Sequence, residues 1–480
     1  MGPPRRAPPR KGGSSTNSKE GKKKQNTKAR TTTTAEGRPR GGNHRNEKQQ
    51  GNEIDLSATI PVSLQQLLLN VFKSGLLHSS RSSLSRREGL GAHDGVNSSN
   101  PEEEERENES EELDIKTLIQ TIKSHLYNRD FESAFTDANE ELLRAYALRW
   151  SASRALGYAG IFRAVVRSDI LGFLPKQVDE KMGHVLCIGG GAGAEIVALA
   201  GVWRDMIDTE RAKSGRRDED ERQQEADETN SISKAVEEMT LDEDTGKSSQ
   251  DIVASSTSTV PSVSITAVDI ADWSSVVDKL LTTIKSPAVP SSKDHLAPLL
   301  PSFEQDESHG GRFSVSFQKL NVLTLPDDEL HGLVHRNESK TVLVTLMFTL
   351  NELFSTSMAK TTAFLLRMTD LLEPGTVLLV VDSPGSYSTV TLGKGKSSTD
   401  TSKPETASPE TEKPQQRNYP MKFLLDHTLL SVAEGKWDKV LSQDSRWFRR
   451  EAAKLRYAVG EGAGLEDMRF QIHIYRRTEG

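Results

Sequence analysis

The sequence predicts an α/β fold with a mostly parallel β-sheet, and three observations support this prediction. An apolar run at residues 185–188 leads into four glycines within residues 189–193, which is typical of a strand, a tight turn and a helix. Further apolar runs alternate with helical patterns, as in βα units with helices on both sheet faces. The last segment alternates apolar and polar residues, which indicates a terminal antiparallel strand. The predicted strands are Val185–Ile188, Val263–Asp269, Phe313–Gln318, Thr341–Met347, Thr376–Asp382, Lys439–Ser442 and the edge-side strand Met468–Tyr475.

Composition predicts one sizeable core rather than several. The chain has 480 residues, of which only 34% are hydrophobic, and these residues are concentrated in a few blocks. Its single cysteine, Cys187, excludes an intrachain disulfide and a zinc ribbon and favours an intracellular setting. No apolar run reaches the length of a membrane span. We therefore expect a soluble protein with no membrane partner.

Charge is distributed unevenly along the chain. Residues 1–50 hold 14 Lys and Arg and three Glu, a net charge of +11, so the remaining chain carries −18. Such a Gly-, Pro- and Lys-rich segment cannot bury enough apolar surface to fold, and its charge suits RNA or an acidic partner. Residues 1–53 are therefore predicted to be a disordered basic tail, in which Lys22–Lys24 could mark nuclear import. The alternative is a solvated tail without a specific role.

The rest of the chain divides into a helix, a linker and one large domain. Residues 54–78 place Leu64, Leu68 and Phe72 on one helical face, which predicts an isolated amphipathic helix that docks on the core or a partner. The insertions listed next lack hydrophobic periodicity, so we expect them to be disordered. The predicted segments are an acidic, Ser-rich linker at 79–112, a main domain at 113–478 with a helical N-terminal layer at 113–180, and long insertions at 208–259, 286–311 and 390–417.

The glycine loop predicts a site for a nucleotide-like cofactor. The helix after the loop begins with backbone N–H groups that lack intrahelical partners, so a polar ligand can bind at this carboxyl edge of the sheet. Gly189, Gly191 and Gly193 fit the G-x-G-x-G pattern of S-adenosylmethionine enzymes, whereas the G-x-G-x-x-A pattern that ends at Ala194 fits dinucleotides. Asp269 ends an apolar strand and is placed to accept hydrogen bonds from ribose hydroxyls, which both cofactors require.

A second motif interleaves aromatic and basic side chains. The segment Arg149–Tyr158 (RWSASRALGY) can stack on unpaired bases and hold phosphates through Arg149 and Arg154. The alternative is that Trp150 and Tyr158 pack within the helical layer.

Several segments carry a resemblance to a known family. The chain resembles the class I methyltransferases, with their Rossmann-like sheet, and more narrowly a fungal family of uridine-N3 methyltransferases that act on 25S ribosomal RNA. The resemblance covers most of residues 115–206, 262–390 and 418–476. The segments that carry it are RWSASRALGY at Arg149–Tyr158, LCIGGGAGAE at Leu186–Glu195, TLMFTLNELFS at Thr345–Ser355, VDSPGSYS at Val381–Ser388 and SRWFRR at Ser445–Arg450.

The resemblance implies S-adenosylmethionine as cofactor and N3-methyluridine in the large-subunit RNA as product. It assigns the glycine loop to the methionine end, Asp269 to the ribose and Asn321 with Val322 to the adenine edge. Two residues depart from the family pattern, since Cys187 stands where many class I enzymes have an acid and Asn321 stands where Asp is common. Glu195 is a candidate to replace the missing acid. The predicted cofactor-binding residues are Gly189, Gly190, Gly191, Gly193, Asp269, Ile270, Asn321 and Val322.

Methylation of a uracil imide nitrogen requires removal or polarisation of its N–H proton. Asp382 and Glu352 are candidate bases, and the Asn351 amide could contact the uracil edge. His331 and His335 are four residues apart but have no matched acid or cysteine, so no metal site is expected. The predicted RNA contacts in this region are Tyr387, Trp447 and Phe448, which could stack on the unpaired base, and Arg446 and Arg449, which could hold flanking phosphates.

Other functions remain open at this point. One is a catalytically silent ribosome-assembly factor that retains the cofactor fold, and another is a methyltransferase for a protein or small molecule. A dehydrogenase is disfavoured because the carboxyl-edge loops show no hydride-transfer acid. The expected partner is large-subunit ribosomal RNA or a pre-ribosome, and the expected location is the nucleus or nucleolus and the cytoplasm.

Overall fold

The structure is a computed structural model that describes residues 54–77, 113–128, 130–168, 170, 182–236, 262–301, 312–336, 339–385, 387–391 and 416–479. The predicted tail 1–53, the linker 79–112 and the insertion residues 237–259, 302–311 and 392–415 lie outside these ranges. Helices α1–α10 span Val62–Leu76, Ile115–Tyr127, Glu140–Tyr146, Ala152–Arg167, Ala194–Val236, Ser274–Ile284, Asp327–Val334, Leu350–Thr356, Met358–Leu371 and Met421–Asp426. Short π-helical turns span Glu132–Thr136, Ala147–Ser151 and His427–Val432.

Strands β1–β9 form a mixed sheet and a separate hairpin. Over the described residues the sheet has seven strands in the order β3-β2-β1-β4-β5-β9-β8, and β6 pairs with β7. The first five strands are parallel, whereas β9 runs antiparallel to both β5 and β8. The strands span Met182–Ile188, Val263–Asp269, Phe313–Lys319, Ser339–Met347, Val377–Asp382, Tyr387–Thr391, Gln416–Pro420, Trp437–Phe448 and Met468–Arg477.

This topology confirms the predicted α/β sheet with a terminal antiparallel strand pair. Strand β1 lies at the centre of the parallel part, where the strand order reverses: β2 and β3 lie on one side of β1, and β4 and β5 lie on the other. Ligands bind at such a switch point in open α/β sheets. The predicted bounds of β2 coincide with the observed ones. One detail differs: β9 is an interior strand, because β8 pairs with its outer side and forms the edge.

Two apolar layers cover the faces of the sheet. Residues of β1, β4 and β5 are buried along nearly their whole length, as expected for strands covered on both sides. One cluster joins one face of the sheet to α1, α2, α4, α5 and α6. The other joins the opposite face to α7, α9 and α10. The sheet is thus held rigidly, and its carboxyl edge supports the loops of the site.

Helix α1 belongs to this core, which corrects the expectation of an isolated helix. Its side chains Leu64, Leu68 and Phe72 are fully buried, and the helix packs against α4, α5 and α6. Polar anchors fix its outer side, where Asn70 Nδ2 donates to Pro290 O at 2.6 Å. Leu69 is buried as well, and a helix with apolar residues around most of its surface is expected in a core.

All three predicted insertions contain ordered structure, which corrects the sequence-based expectation. Strands β6 and β7 extend into the two ends of 390–417. The helix expected to end near Met206 continues as α5 to Val236. Residues 286–301 form turns in which Leu299 and Leu300 are buried, and Leu300 N–H donates to Ile284 O at 2.9 Å. These two leucines lie within a Pro- and Ser-rich stretch, so composition alone concealed their role in the core.

Candidate active site

The carboxyl ends of β1, β2, β3 and β4 surround one cavity of about 400 Å³. Its floor is the set of loops that follow these strands, which include Gly189, Asp269, Asn321 and Thr349. Its roof comes from the N-terminal helical layer at residues 131–158, together with Trp273 and Phe348. The site therefore combines loops of the sheet with a helical cover from a distant part of the chain.

The glycine loop packs too closely for side chains. Gly189 has a φ of +76°, which L-residues with side chains rarely adopt, and a Cβ there would overlap the Thr349 side chain. A Cβ at Gly191 would overlap the Trp273 ring. Local packing therefore requires glycine here, and of the four loop glycines Gly189 lines the cavity.

Asp269 lies at the end of β2, beside the glycine loop. Its Oδ2 accepts from Gly191 N–H at 3.2 Å and its Oδ1 accepts from Ala271 N–H at 3.2 Å. Burial raises the pKa of Asp269 to about 6, and each oxygen keeps acceptor capacity for a further donor. This geometry suits a carboxylate that receives ribose hydroxyls.

The neighbouring predicted contacts line the same cavity. Ile270 is 49% exposed there, an unusual position for a large apolar side chain. Asn321 Oδ1 accepts from Leu323 N–H at 3.0 Å, which turns the chain after β3. Val322 is buried beside it. Together these residues offer an apolar surface and a polar rim.

Glu195 is a buried acid in the first turn of α5. It is 3% exposed and lines the cavity, and burial raises its pKa to about 8. Its Oε1 has no hydrogen-bond partner among the described residues. Cys187, the residue at the position that is often acidic, is fully buried below the loop. Glu195 is therefore the acid available to a cationic ligand group at this end.

The three predicted catalytic residues lie together but differ in environment. Asp382 is 4% exposed, with Oδ2 accepting from Asn351 N–H at 3.0 Å and Oδ1 from Ser383 N–H at 2.7 Å. Asn351 Oδ1 is buried without a partner among the described residues. Glu352 opens into the cavity. The Glu352 side chain is exposed to this open cavity, and desolvation by the surrounding protein raises its pKa to about 7, against the lowering effect of the Arg154 charge.

The aromatic roof was not predicted from the sequence. Phe135 packs edge-to-face on Tyr146 with ring centroids 5.1 Å apart, and Tyr146 lies 4.9 Å from Trp150. Phe348, directly after β4, has a φ of 60°, and its N–H donates to Val381 O at 2.7 Å. A positive φ in an aromatic residue is strained and often marks a functional site. The available signal was the position of Phe348 at a carboxyl strand end.

The predicted RNA contacts fall into different environments. Arg149 is 6% exposed and forms an ion pair with Glu466, which corrects its assignment as a phosphate contact. Arg154 lines the cavity. Backbone atoms place Tyr387 at the start of β6, but its side chain is not among those described.

The segment Arg446–Arg449 lies at the end of edge strand β8. Trp447 is 49% exposed, and Arg449 Cζ and Arg469 Cζ lie 4.9 and 5.8 Å from its ring centroid. Phe448 packs against the core, and Arg446 Nη1 donates to Gln443 Oε1 at 3.3 Å. Of the predicted RNA contacts in this segment, Trp447 and Arg449 are thus the exposed ones.

The described ranges contain neither a metal site nor a helix that could span a membrane. No group of three or more His, Cys, Asp or Glu side chains there could hold a metal ion. Within the same ranges, no helix combines the length and apolar character that a bilayer span requires.

Fold and site together define a class of protein. A switch-point cavity with a glycine loop at β1, an acid at the end of β2 and an antiparallel terminal strand pair is the architecture of a class I methyltransferase. A sequence model of the family described as "Putative SAM-dependent methyltransferase" matches residues 101–476. The chain belongs to this family, and it is an S-adenosylmethionine-dependent enzyme.

Individual proteins are similar to this chain over most of its length. A Saccharomyces cerevisiae protein named 25S rRNA (uridine(2843)-N(3))-methyltransferase is 29% identical over 375 residues, which cover 77% of this chain and 80% of that protein. A solved SAM-dependent methyltransferase from Methanosarcina mazei is 10% identical, with 62% of this chain and 94% of that chain covered and a TM-score of 0.28. A solved O-methyltransferase family protein from Burkholderia thailandensis is 10% identical, with 76% of this chain and 71% of that chain covered and a TM-score of 0.27.

Proposed function

We propose that the enzyme transfers a methyl group to N3 of a uridine in large-subunit ribosomal RNA. The observation that carries this proposal is the similarity, over 77% of the chain, to a protein named as a 25S rRNA uridine-N3 methyltransferase. A cavity that holds an acid with a pKa near 7 supports it, because the imide proton of uracil must be taken by a base.

The residues present fit S-adenosylmethionine. The glycine loop and the unpartnered Glu195 Oε1 suit the methionine end. Asp269 suits the ribose hydroxyls, and Asn321 with Ile270 and Val322 suits the adenine. When bound, this cofactor supplies a methyl group already activated on a sulfonium, so orientation by the protein accounts for much of the rate.

Glu352 is the better placed of the two candidate bases. It faces the cavity, and with a pKa of about 7 it is substantially ionised at neutral pH and can accept the N3 proton. Asp382 instead holds the backbone of Asn351 and Ser383 through its two oxygens. We assign Asp382 to positioning of Asn351 and, through it, of the first turn of α8, which carries Glu352.

The RNA around the target would contact the end of β8. Asp382 pairs with Gln471 and Phe448 pairs with Met468, so the end of β8 lies at the same carboxyl edge as the cavity. Trp447 offers an exposed ring for a flanking base. Arg449 is 69% exposed, and although its Nη1 lies 3.5 Å from Asp467 Oδ2, its outer side offers charge for a phosphate. Tyr387, Phe448 and Arg446 are secondary candidates for the same strand of RNA.

The basic tail would add affinity without sequence specificity. Its net charge of +11 over residues 1–50 suits phosphate contacts. Deletion of the tail should weaken RNA binding and reduce its salt dependence while the affinity for cofactor stays unchanged. A substrate in the ribosome or pre-ribosome would place the enzyme in the nucleolus or the cytoplasm.

Transfer of a labelled methyl group tests this function. The protein is incubated with tritiated S-adenosylmethionine and either total RNA or total protein from cells that lack the enzyme. Label in large-subunit RNA supports the proposal. Label confined to protein or to small molecules would contradict it.

A further inference from the structure

Arg154 occupies the cavity in a fixed position. It extends from the first turn of α4, and its Nη1 donates to Tyr146 Oη at 2.9 Å. Its guanidinium carbon lies 4.7 Å from the ring centroid of Phe348. A hydroxyl and two aromatic rings therefore hold this cation, in the same cavity as Glu352.

Among the described residues Arg154 has no ion-pair partner, although its charge acts on Glu352 in the same cavity. Neighbouring arginines of the same helical region have carboxylate partners, since Arg149 pairs with Glu466, and Arg163 Nε lies 2.7 Å from Asp205 Oδ2. Within the described residues, no carboxylate oxygen lies within 4.0 Å of a guanidinium nitrogen of Arg154. A partly buried, unpaired cation is costly to maintain and is suited to an anionic partner that arrives with the substrate.

We propose that Arg154 donates a hydrogen bond to a carbonyl oxygen of the target uracil and stabilises the negative charge that develops when N3 loses its proton. This inference rests on the proposed function and adds a catalytic residue to it. The uracil imidate spreads its charge over N3 and both carbonyl oxygens, so a donor fixed beside one oxygen stabilises the transition state more than the neutral base.

The proposed methyl transfer to N3 conserves atoms and charge. The N3 proton moves to the Glu352 carboxylate, and the N3 lone pair forms the new bond to the methyl carbon. The bond between methyl and sulfonium sulfur breaks, and its electron pair returns to sulfur. The negative charge on uracil and the positive charge on sulfur disappear together, so Arg154 is needed only while the imidate charge exists.

Substrate acidity tests this role directly. Large-subunit RNA is transcribed with uridine or with 5-fluorouridine, whose N3–H is more acidic because fluorine withdraws electrons. Single-turnover methylation rates are measured for wild type, Arg154→Met and the control Arg167→Met, on the same helix with a half-exposed side chain. We expect Arg154→Met to lower the rate on uridine RNA about 100-fold and on 5-fluorouridine RNA less than about tenfold, with Arg167→Met close to wild type on both.

Other roles for Arg154 predict different results. If it held the cofactor carboxylate, Arg154→Met would weaken S-adenosylmethionine binding in calorimetry, and if it held a phosphate, both RNAs would lose rate equally. Either result overturns the proposal. Arg154→Lys retains a cation and should lose less rate on uridine RNA than Arg154→Met, whereas equal losses in two folded variants would contradict a charge effect. If wild type forms no N3-methyluridine, the proposed function itself fails, which is a separate outcome.

Discussion

The floor and the roof of the cavity differ in how they are encoded. The floor consists of short segments in which a strand and its ligand loop are contiguous, such as 185–193 and 263–270. The roof combines the helical layer at 131–158 with Trp273 and Phe348, which are far apart in sequence. The floor therefore follows from local sequence patterns, whereas the roof, with its aromatic and charged groups, is assembled only when the chain folds.

The largest expected effect follows from filling the floor. Gly191→Arg places a side chain where even a Cβ overlaps the Trp273 ring. We expect cofactor binding to fall below detection in calorimetry while far-ultraviolet circular dichroism shows a folded protein. Gly215→Arg is the matched control, because nothing lies within 4 Å of a Cβ at Gly215. Normal binding by Gly191→Arg would place the cofactor elsewhere.

The next effect separates the two candidate bases. Glu352→Gln should lower the single-turnover methylation rate by about 100-fold or more with little change in cofactor affinity. The wild-type rate should fall as pH drops below about 7, because the pKa of Glu352 is raised to about 7 and its protonated form cannot accept a proton. Higher pH should partly rescue Glu352→Gln by ionising the imide directly.

Two comparisons control that experiment. The exposed Glu434→Gln should behave as wild type. Asp382→Asn should also lower the rate, but without rescue at high pH, because its role is to hold Asn351. If high pH rescued the methylation rate of Asp382→Asn but not that of Glu352→Gln, Asp382 would be the base and Glu352 the positioning residue.

A smaller effect tests whether the roof contributes to binding. Phe135→Ala removes the ring that packs on Tyr146 at 5.1 Å. Phe135 also lines the cavity, and loss of an aromatic contact with the cofactor costs about 1 kcal/mol, so cofactor affinity should weaken about fivefold in calorimetry. Tyr127→Ala is the control, since Tyr127 is 89% exposed. Equal cofactor affinities in Phe135→Ala and Tyr127→Ala would show that the segment around Phe135 does not contribute to cofactor binding.

Local patterns of the sequence predicted the sheet and the floor, and long-range packing explains what they missed. Asp269 was identified because it ends an apolar strand, and its contact with Gly191 agrees with the predicted cofactor site. The interleaved pattern of Arg149–Tyr158 predicts that Arg149 and Arg154 both contact RNA. On helical backbone its members point in different directions, so Arg149 is buried against Glu466 while Arg154 enters the cavity.

A separate effect, on stability rather than on binding or rate, concerns the buried acid of the floor. The folded-state pKa of Glu195 is about 8, above its ordinary value of 4.5, so the folded protein binds this proton more tightly than the unfolded chain. Stability therefore falls as pH rises from 4.5 towards 8, and the cost is fully present above about 8. Without cofactor, Glu195→Gln should unfold at a higher temperature than wild type at pH 8.5, and the difference should shrink at pH 5. A difference in unfolding temperature that did not change with pH would contradict the raised pKa of Glu195.

The site of methyl transfer tests the central claim most directly. Large-subunit RNA from cells that lack the enzyme is incubated with the purified protein and S-adenosylmethionine, digested to nucleosides and analysed by mass spectrometry against methylated standards. The account predicts N3-methyluridine, absent when Glu352→Gln replaces wild type at neutral pH over the same short incubation. A methyl group on a ribose hydroxyl or on another base would contradict it.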